Sequence, residues 1–149
     1  MKILVDADAC PVKDIIVDLA KHNFIKVLMF IDTSHILNDD YSEVITVEKG
    51  KDSVDIALIN RVESRDIVVT QDYGVAAMAI SKHAYAINQN GMIYSNDNID
   101  RLLFERYLSQ KARRKGERTM NPRKRSSADN DKFKFSFNKL ISEAKKYNE

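Results

Sequence analysis

Two aspartates, Asp6 and Asp8, follow an apolar run at the start of the chain, MKILV. Such a run is typical of a strand buried on both faces of a parallel sheet, and α/β proteins bind ligands at the carboxyl ends of these strands. Packing gives no reason to place two acids one residue apart there, because a buried charge is costly without a partner. A divalent cation or a phosphoryl substrate would account for both acids.

Two further aspartates lie at comparable places. Asp55 falls in the first turn of a helix predicted to begin near Ser53, and Asp72 follows an apolar strand predicted over 67–69. If the strands before Asp6 and Asp72 are neighbours, their carboxyl ends meet at one edge of the sheet. Carboxylates held close together raise one another's pKa unless a cation shares them. The acids therefore predict a Mg²⁺ or Mn²⁺ site that polarises a phosphodiester and activates water.

Each acid also has a structural interpretation. Asp52 is an N-cap candidate, and Asp55 would then occupy the capping-box position. The cap is the preferred interpretation for Asp52, and metal binding is preferred for Asp55. Asp72 could cap the helix that follows it, and Asp32 could be an ordinary turn residue. Cys10 is interpreted as a small buried residue, because no base is paired with it.

Strand-like and helix-like segments alternate along the chain, which predicts parallel βαβ units. Strands are predicted over 2–5, 25–31, 44–47 and 67–69, two short extended pieces over 84–94, and helices beginning near Pro11, Ser53, Val75 and Ile99. The last of these helices should end near Gly116. We therefore expect a three-layer α/β fold, with a mostly parallel, Rossmann-like sheet flanked by helices and a basic helical extension.

The composition predicts where the domain ends. Residues 1–115 are expected to form one α/β domain, and residues 116–131 (GERTMNPRKRSSADND) to form a flexible basic loop without apolar periodicity. A helix over 132–149, docked on the same domain, is predicted by apolar residues at helical spacing: Phe133, Phe137, Leu140, Ile141 and Ala144. Ser127 or Asp129 could cap it, while three phenylalanines within five residues leave a strand open as the alternative.

Length and composition limit the class of protein. The chain has 149 residues, of which 44% are hydrophobic and 31% charged, as expected for one globular core. No apolar run approaches the ~18 residues that a membrane span needs, and the N-terminus has no basic signal region. A single cysteine and three scattered histidines predict neither a disulfide nor a zinc site. We expect a cytoplasmic protein with no membrane partner.

Charge is unevenly divided along the chain. Residues 1–100 hold nine Lys/Arg and sixteen Asp/Glu, whereas residues 101–149 hold fifteen and six. Much of the positive charge lies over 106–125, in RYLSQKARRKGERTMNPRKR. The candidates for binding nucleic-acid phosphates are Arg113, Arg114, Lys115 and Arg118. Taken alone, such a run is more often a solvated helix face and a flexible loop.

Three segments occur in the order expected of a known family: MKILVDADACPVKDII, GKDSVDIALI and DIVVTQDYGVAA. Over nearly its whole length the chain resembles the YaiI/YqxD family of bacterial proteins. That family is similar to PIN-like domains, which are metal-dependent nucleases with a parallel sheet and a cluster of acids. The resemblance implies a PIN-like fold and a ribonuclease site that uses Mg²⁺ or Mn²⁺. Asp6, Asp55 and Asp72 match the acid positions, and Asp8 is an additional candidate.

One departure from the PIN pattern concerns a fourth acid, which those domains often carry after the next strand. This chain has Asn88 and Asn90 there, with Asp97 further along. The resemblance therefore leaves a second metal position undetermined.

Two other classes remain open. An apolar strand followed by Asp-x-Asp also begins haloacid-dehalogenase-type phosphatases, in which Asp6 would be the nucleophile and Asp8 the acid/base. Ala9 and Cys10, however, stand where those enzymes usually carry glycine and then a small hydroxyl or apolar residue. The third class is a non-catalytic RNA-binding protein. Tyr107 is the only aromatic residue in the basic segment, so stacking on bases has little support.

Overall fold

The computed structural model describes residues 1–34, 37–116 and 123–146. Strands and helices alternate in the order β1 (Lys2–Asp6), α1 (Lys13–His22), β2 (Lys26–Asp32), β3 (Glu43–Val47), α2 (Ser53–Arg61), β4 (Ile67–Val69), α3 (Tyr73–Ser81), β5 (Tyr85–Ile87), α4 (Asn96–Arg114) and α5 (Ser127–Lys146). Within these ranges, no helix is long and apolar enough to cross a membrane.

The five strands form one parallel sheet in the spatial order β3-β2-β1-β4-β5. β1 is central, with Val5 in register with Met29 of β2 and Val69 of β4. The chain builds outward from β1 through β2 to β3, then returns to place β4 on the other side of β1. This reversal opens a crevice between the carboxyl ends of β1 and β4, where such sheets bind their ligands.

The sheet is covered on both faces, which explains why its central strands are almost entirely apolar. Ile3 and Val5 belong to the core shared with α1 and α5, whereas Leu4 belongs to the core shared with α2, α3 and α4. The first core includes Ile16, Leu19, Phe133, Phe137 and Leu140, and the second includes Leu58, Ala76, Ala79, Ile99 and Leu102. The predicted three-layer α/β fold is confirmed.

Most element ends lie close to the predicted positions. α1 ends at His22, and the N–H of the following Asn23 bonds to the Leu19 and Ala20 carbonyls, whereas α4 ends directly before Lys115. Gly116 follows α4 with φ +75°, a left-handed conformation that glycine adopts without steric cost. The end of α4 agrees with the predicted end near Gly116.

The final helix differs from the prediction, because α5 begins at Ser127 instead of residue 132. Asp129, in its first turn, accepts a hydrogen bond from the Ser126 N–H at 2.9 Å and pairs with Arg123 at 2.6 Å. These contacts hold the pKa of Asp129 at about 2. The loop predicted over 116–131 therefore ends before Ser127, and residues 117–122 lie outside the described residues.

The alternative of a strand around the phenylalanines is wrong. Phe133 and Phe137 lie one helical turn apart, both buried, with their rings stacked at 5.1 Å between centroids. Phe135 lies between them in sequence and is 75% exposed, as helical periodicity requires. This apolar face attaches α5 to the same core as α1.

Candidate functional site

Asp6 is the last residue of β1 and is partly buried. It has the same strand parity as Leu4, so it faces the layer of α2, α3 and α4. Thr70 follows β4 and is 3% exposed. Its hydroxyl donates to Asp6 Oδ2 at 3.5 Å and accepts from the Asp72 N–H at 3.0 Å. The ends of the two neighbouring strands are thereby joined through one side chain.

Asp72 has two roles in this arrangement. Its Oδ1 accepts a hydrogen bond from the Val75 N–H at 3.0 Å, which caps α3. The predicted cap is confirmed, and the same carboxylate lies at the edge of the sheet beside Thr70.

The pKa of Asp6 shows that the predicted acids act on one another. Burial, followed by the charges of Asp55, Asp8 and Asp72, raises the pKa of Asp6 to about 6, and the bond from Thr70 opposes the shift. The pKa of Asp55 is raised by burial and then by Asp72 and Asp52. The four predicted acids therefore form one electrostatic cluster around Asp6.

A cleft of about 720 Å³ opens beside this cluster. Asp6, Asp8 and Asp72 line it from the sheet edge. The opposite wall is α4, which contributes Leu102, Glu105, Arg106, Ser109, Gln110 and Arg113. Residues 102, 106, 109 and 113 recur every three or four positions and so share one face of the helix. The acid cluster thus faces a wall that carries two arginines.

Asp55 lies outside this cleft. It lines an adjoining groove of about 450 Å³ with Asp52, Ile56 and Met78, and Asp72 borders both spaces. Asp72 is therefore the residue through which the two spaces meet.

The predicted phosphate-binding cations are separated by the structure. Arg113 lines the cleft, whereas Arg114 and Lys115 are exposed and are not among its lining residues. Arg118 lies outside the described residues. Arg106 lines the cleft and was not predicted as a site residue. Its helical spacing from Arg113 was the available sequence signal, because residues seven apart share a helix face.

The structural interpretations of the other polar residues have mixed outcomes. Asp52 precedes α2 with φ 60°, and its side chain makes no capping hydrogen bond, so the predicted cap is wrong. Asp32 accepts a hydrogen bond from the Ser34 N–H at 2.9 Å, as expected of a turn residue. Cys10 is buried as predicted, and burial raises the pKa of its thiol.

The asparagines in place of a fourth acid have a structural role. Asn88 Oδ1 accepts from the N–H groups of Asn90 and Met92, both at 2.9 Å, and so fixes the turn after β5. Asp97 is exposed in the first turn of α4 and does not line the cleft. The additional acid at the cleft is Glu105, on α4.

Arg125 from the basic segment holds the same turn in place. Its guanidinium donates to Asn90 Oδ1 at 2.8 Å and to the Gln89 carbonyl at 2.9 Å, while its Nε donates to Asn130. Gln89 lines the cleft and accepts a hydrogen bond from Gln71. Arg125 is thus a positioning residue that connects the start of α5 to the rim of the cleft.

The donor set is suited to a hard cation, because carboxylate oxygens are the ligands that Mg²⁺ and Mn²⁺ prefer. Within the described ranges, however, no three His, Cys, Asp or Glu side chains are arranged to hold a metal ion. Mg²⁺ commonly uses one or two carboxylates and completes its shell with water and substrate phosphate. The acid cluster fits that mode of binding and not a closed cage of protein ligands.

One family model matches the sequence over almost all of the helices and strands. The family model described as "Uncharacterized BCR, YaiI/YqxD family" matches residues 4–143, from β1 into α5. The chain belongs to the YaiI/YqxD family. No solved structure matches this family member.

Relatives of this YaiI/YqxD protein are similar over nearly their full length, and each is named "UPF0178 protein". One from Ruminiclostridium cellulolyticum is 66% identical over 89% of this chain and 87% of its own. One from Clostridium kluyveri is 52% identical over 99% of this chain and 97% of its own. One from Lachnoclostridium phytofermentans is 54% identical over 95% of this chain and 97% of its own. The acid cluster and the α4 wall both lie within the matched region.

Proposed function

We propose that this protein is a metal-dependent phosphodiesterase that cleaves RNA, related in mechanism to PIN-like nucleases, or a degenerate relative of one. The observation that carries the proposal is the position of Asp6, half-buried among other acids: burial, and then the charges of Asp55, Asp8 and Asp72, raise its pKa to about 6. Mutual repulsion of carboxylates is a cost for folding that a bound cation relieves. Such a shift at the ligand-binding crevice of a parallel sheet is typical of a functional site.

Asp6, Asp8, Asp55 and Asp72 are the acids from which Mg²⁺ or Mn²⁺ would take one or two carboxylate ligands, with water and substrate phosphate completing its shell. When bound, such a cation lowers the pKa of its water and stabilises negative charge on a phosphodiester. Thr70 orients the Asp6 carboxylate through its hydroxyl. The hydrogen bond from Val75 fixes the Asp72 carboxylate at the start of α3. The chain's contribution is to hold these acids at the crevice.

Arg106 and Arg113 are proposed to bind substrate phosphates across the cleft from the acids, since both line its α4 wall. A guanidinium binds phosphate oxygens in a bidentate manner, and two of them seven residues apart could engage successive phosphates. Arg114, Lys115 and Arg118 would add longer-range attraction. We place this activity in the cytoplasm, where the free thiol of Cys10 stays reduced.

The test is incubation of the purified protein with Mn²⁺ and a mixed RNA pool, and separately with a phosphate monoester. Asp6→Asn should abolish RNA cleavage. Asp40→Asn is the matched control, because Asp40 is an exposed acid away from the cleft. Calorimetry should show Mn²⁺ binding to the wild type and to Asp40→Asn, with at least tenfold weaker binding to Asp6→Asn.

The same experiment separates the other two classes. Release of phosphate from the monoester, lost in both Asp6→Asn and Asp8→Asn, would favour a phosphatase with Asp6 as nucleophile. Salt-sensitive RNA binding that is unchanged in Asp6→Asn, without turnover of either substrate, would overturn both enzymatic proposals.

A further inference from the structure

Helix α4 has two faces of different character. Leu102, Arg106, Ser109 and Arg113 point into the cleft. At 100° per residue, the opposite side of the same helix carries a second row of residues, again separated by three or four positions. This second row, which we call the outer stripe, consists of Asp97, Asp100, Phe104, Tyr107, Lys111 and Arg114. All six residues are exposed.

The centre of the outer stripe is apolar although it faces solvent. Phe104 is 60% exposed and Tyr107 is 56% exposed, and their rings stack at 6.4 Å between centroids. Leu103 and Leu108, which flank them, are 37% and 47% exposed. Four large apolar residues grouped on one exposed helix surface are typical of an interaction site, whereas single exposed apolar residues are not.

The charges of the outer stripe change sign at this apolar centre. Asp97 and Asp100 lie on its amino-terminal side, and Lys111 and Arg114 lie on its carboxyl-terminal side. None of these four charged side chains forms an ion pair with any residue in the described ranges. The order along the stripe is acid, acid, aromatic, aromatic, base, base. A second stripe that runs in the opposite direction therefore places a base opposite each acid and an aromatic residue opposite each aromatic residue.

We propose that the outer stripe binds a second copy of this chain as an antiparallel α4–α4 pair. A two-fold axis between Phe104 and Tyr107 sets each Phe104 opposite the partner's Tyr107. The same axis sets Asp100 opposite the partner's Lys111. Because a two-fold interface repeats every contact, one stripe supplies two aromatic pairs and four ion pairs to the dimer.

The charge order selects this partner and this orientation. A parallel pair would place Asp100 opposite Asp100 and Lys111 opposite Lys111, which repel. A nucleic acid or an anionic membrane would meet two aspartates at one end of the stripe, which disfavours both. The spacing of three and four residues is that of helices packed at a shallow angle, with axes about 8–10 Å apart.

The helix dipole alone does not explain the stripe. It favours acids in the first turn and bases in the last, which accounts for Asp97 and Arg114. It gives no reason for exposed aromatic residues between them. The pair also leaves the cleft open, because Arg106 and Arg113 project from the opposite side of α4.

The first test is the mass of the full chain in solution. Light scattering should give about twice 17.1 kDa for the wild type at micromolar concentration. The variant D97K/D100K should give the monomer mass, and so should Phe104→Asp. Phe135→Asp is the matched control, because Phe135 is an even more exposed aromatic on α5, and it should leave the dimer mass unchanged. Far-UV circular dichroism verifies that each variant is folded.

The second test reverses the charges of the outer stripe. An association held by apolar contacts alone would not respond to these reversals. D97K/D100K and K111E/R114E should each be monomeric, because every ion pair in their homodimers becomes repulsive. Mixed in equal amounts, they should form a heterodimer seen by native mass spectrometry, because all four pairs are again opposite in charge. Combining D100K and K111D in one chain should restore the homodimer.

A wild-type chain that stays monomeric up to about 100 μM would overturn the proposal. So would a dimer mass that persists in both D97K/D100K and Phe104→Asp, because the interface would then lie elsewhere. Binding of RNA or of anionic vesicles that Phe104→Asp abolishes, with the wild type still monomeric, would assign the stripe to that partner instead.

Discussion

The hydroxyl of Thr70, directly after β4, donates to the carboxylate of Asp6 at the end of the neighbouring strand β1, at 3.5 Å. The same hydroxyl accepts from the Asp72 N–H, so its proton is committed toward Asp6. This bond favours the ionised form of Asp6, whereas burial and the neighbouring acids favour the protonated form. Thr70 therefore limits how far the pKa of Asp6 rises without changing the charge of the cluster.

Replacing Thr70 with valine should raise the pKa of Asp6 above its present value of about 6, because the one bond that lowers it is removed. Carboxyl-carbon NMR titration of Asp6 measures the change in metal-free protein. Thr70→Ser keeps the hydroxyl and is the matched control, with a pKa close to that of the wild type. Equal titration curves for the wild type and Thr70→Val would contradict the proposed role of the hydroxyl.

Asp6→Asn should stabilise the metal-free fold at neutral pH. The pKa of Asp6 rises from 3.8 to about 6 on folding, so the folded state binds the proton more tightly than the unfolded state. Stability is therefore lost as the pH rises between these values, and the loss is complete above about pH 7. Removing the charge should recover about 1–3 kcal/mol of unfolding free energy at pH 7.5.

Urea unfolding at several pH values checks this expectation. The advantage of Asp6→Asn over the wild type should shrink as the pH falls and disappear below about pH 3, where Asp6 is protonated in both the folded and the unfolded state. Asp40→Asn, at an exposed position, should differ little from the wild type throughout. An advantage for Asp6→Asn that does not vary with pH would show that packing and not charge is responsible.

Asp66 should contribute to the stability of the fold and not to activity, because it lies at the opposite edge of the sheet from the cleft. It is 2% exposed and accepts hydrogen bonds from the Lys2 ammonium at 2.7 Å and from the N–H groups of Lys2 and Glu63. Asp66→Ala leaves these donors without an acceptor and should lower the unfolding free energy by about 3–5 kcal/mol. Denaturant melts measure the loss.

The neighbouring acid provides the control for that prediction. Glu63 also lies near the Lys2 ammonium, at 3.6 Å, but its side chain is 81% exposed. Glu63→Ala should change the unfolding free energy by less than about 1 kcal/mol, because exposed ion pairs contribute little. A similar loss of unfolding free energy in both variants would mean that the contribution of Asp66 to stability does not depend on its burial.

The layered fold could be predicted because its sheet is parallel and covered on both faces. Strands such as β1 and β4 are then continuous apolar runs, and the helices between them carry apolar stripes. The order of the acids along the chain also predicted that Asp6 and Asp72 would meet. What joins them could not be predicted, because the hydroxyl of Thr70 acts through the pairing of β1 with β4.

The errors arise where tertiary contacts decide the local conformation. Asp52 adopts a left-handed backbone, so its side chain does not cap α2. The start of α5 depends on the pairing of Arg123 with Asp129, which no apolar periodicity reveals. Which side of α4 faces the acids depends on how that helix packs against α3. The spacing of Arg106 from Arg113 therefore indicated a shared helix face, but not that this face lines the cleft.

Arg106→Ala and Arg113→Ala should each weaken RNA binding, because both side chains line the cleft opposite the acids. If each arginine neutralises one phosphate, its loss should reduce the slope of log K against log salt by about 0.7 for single strands. Fluorescence anisotropy with labelled RNA, in buffer without divalent cations so that no cleavage occurs, measures both affinity and slope. Lys139→Ala removes an exposed cation from α5 and should leave both unchanged. Equal losses in all three variants would indicate attraction by net charge alone, without a phosphate path along α4.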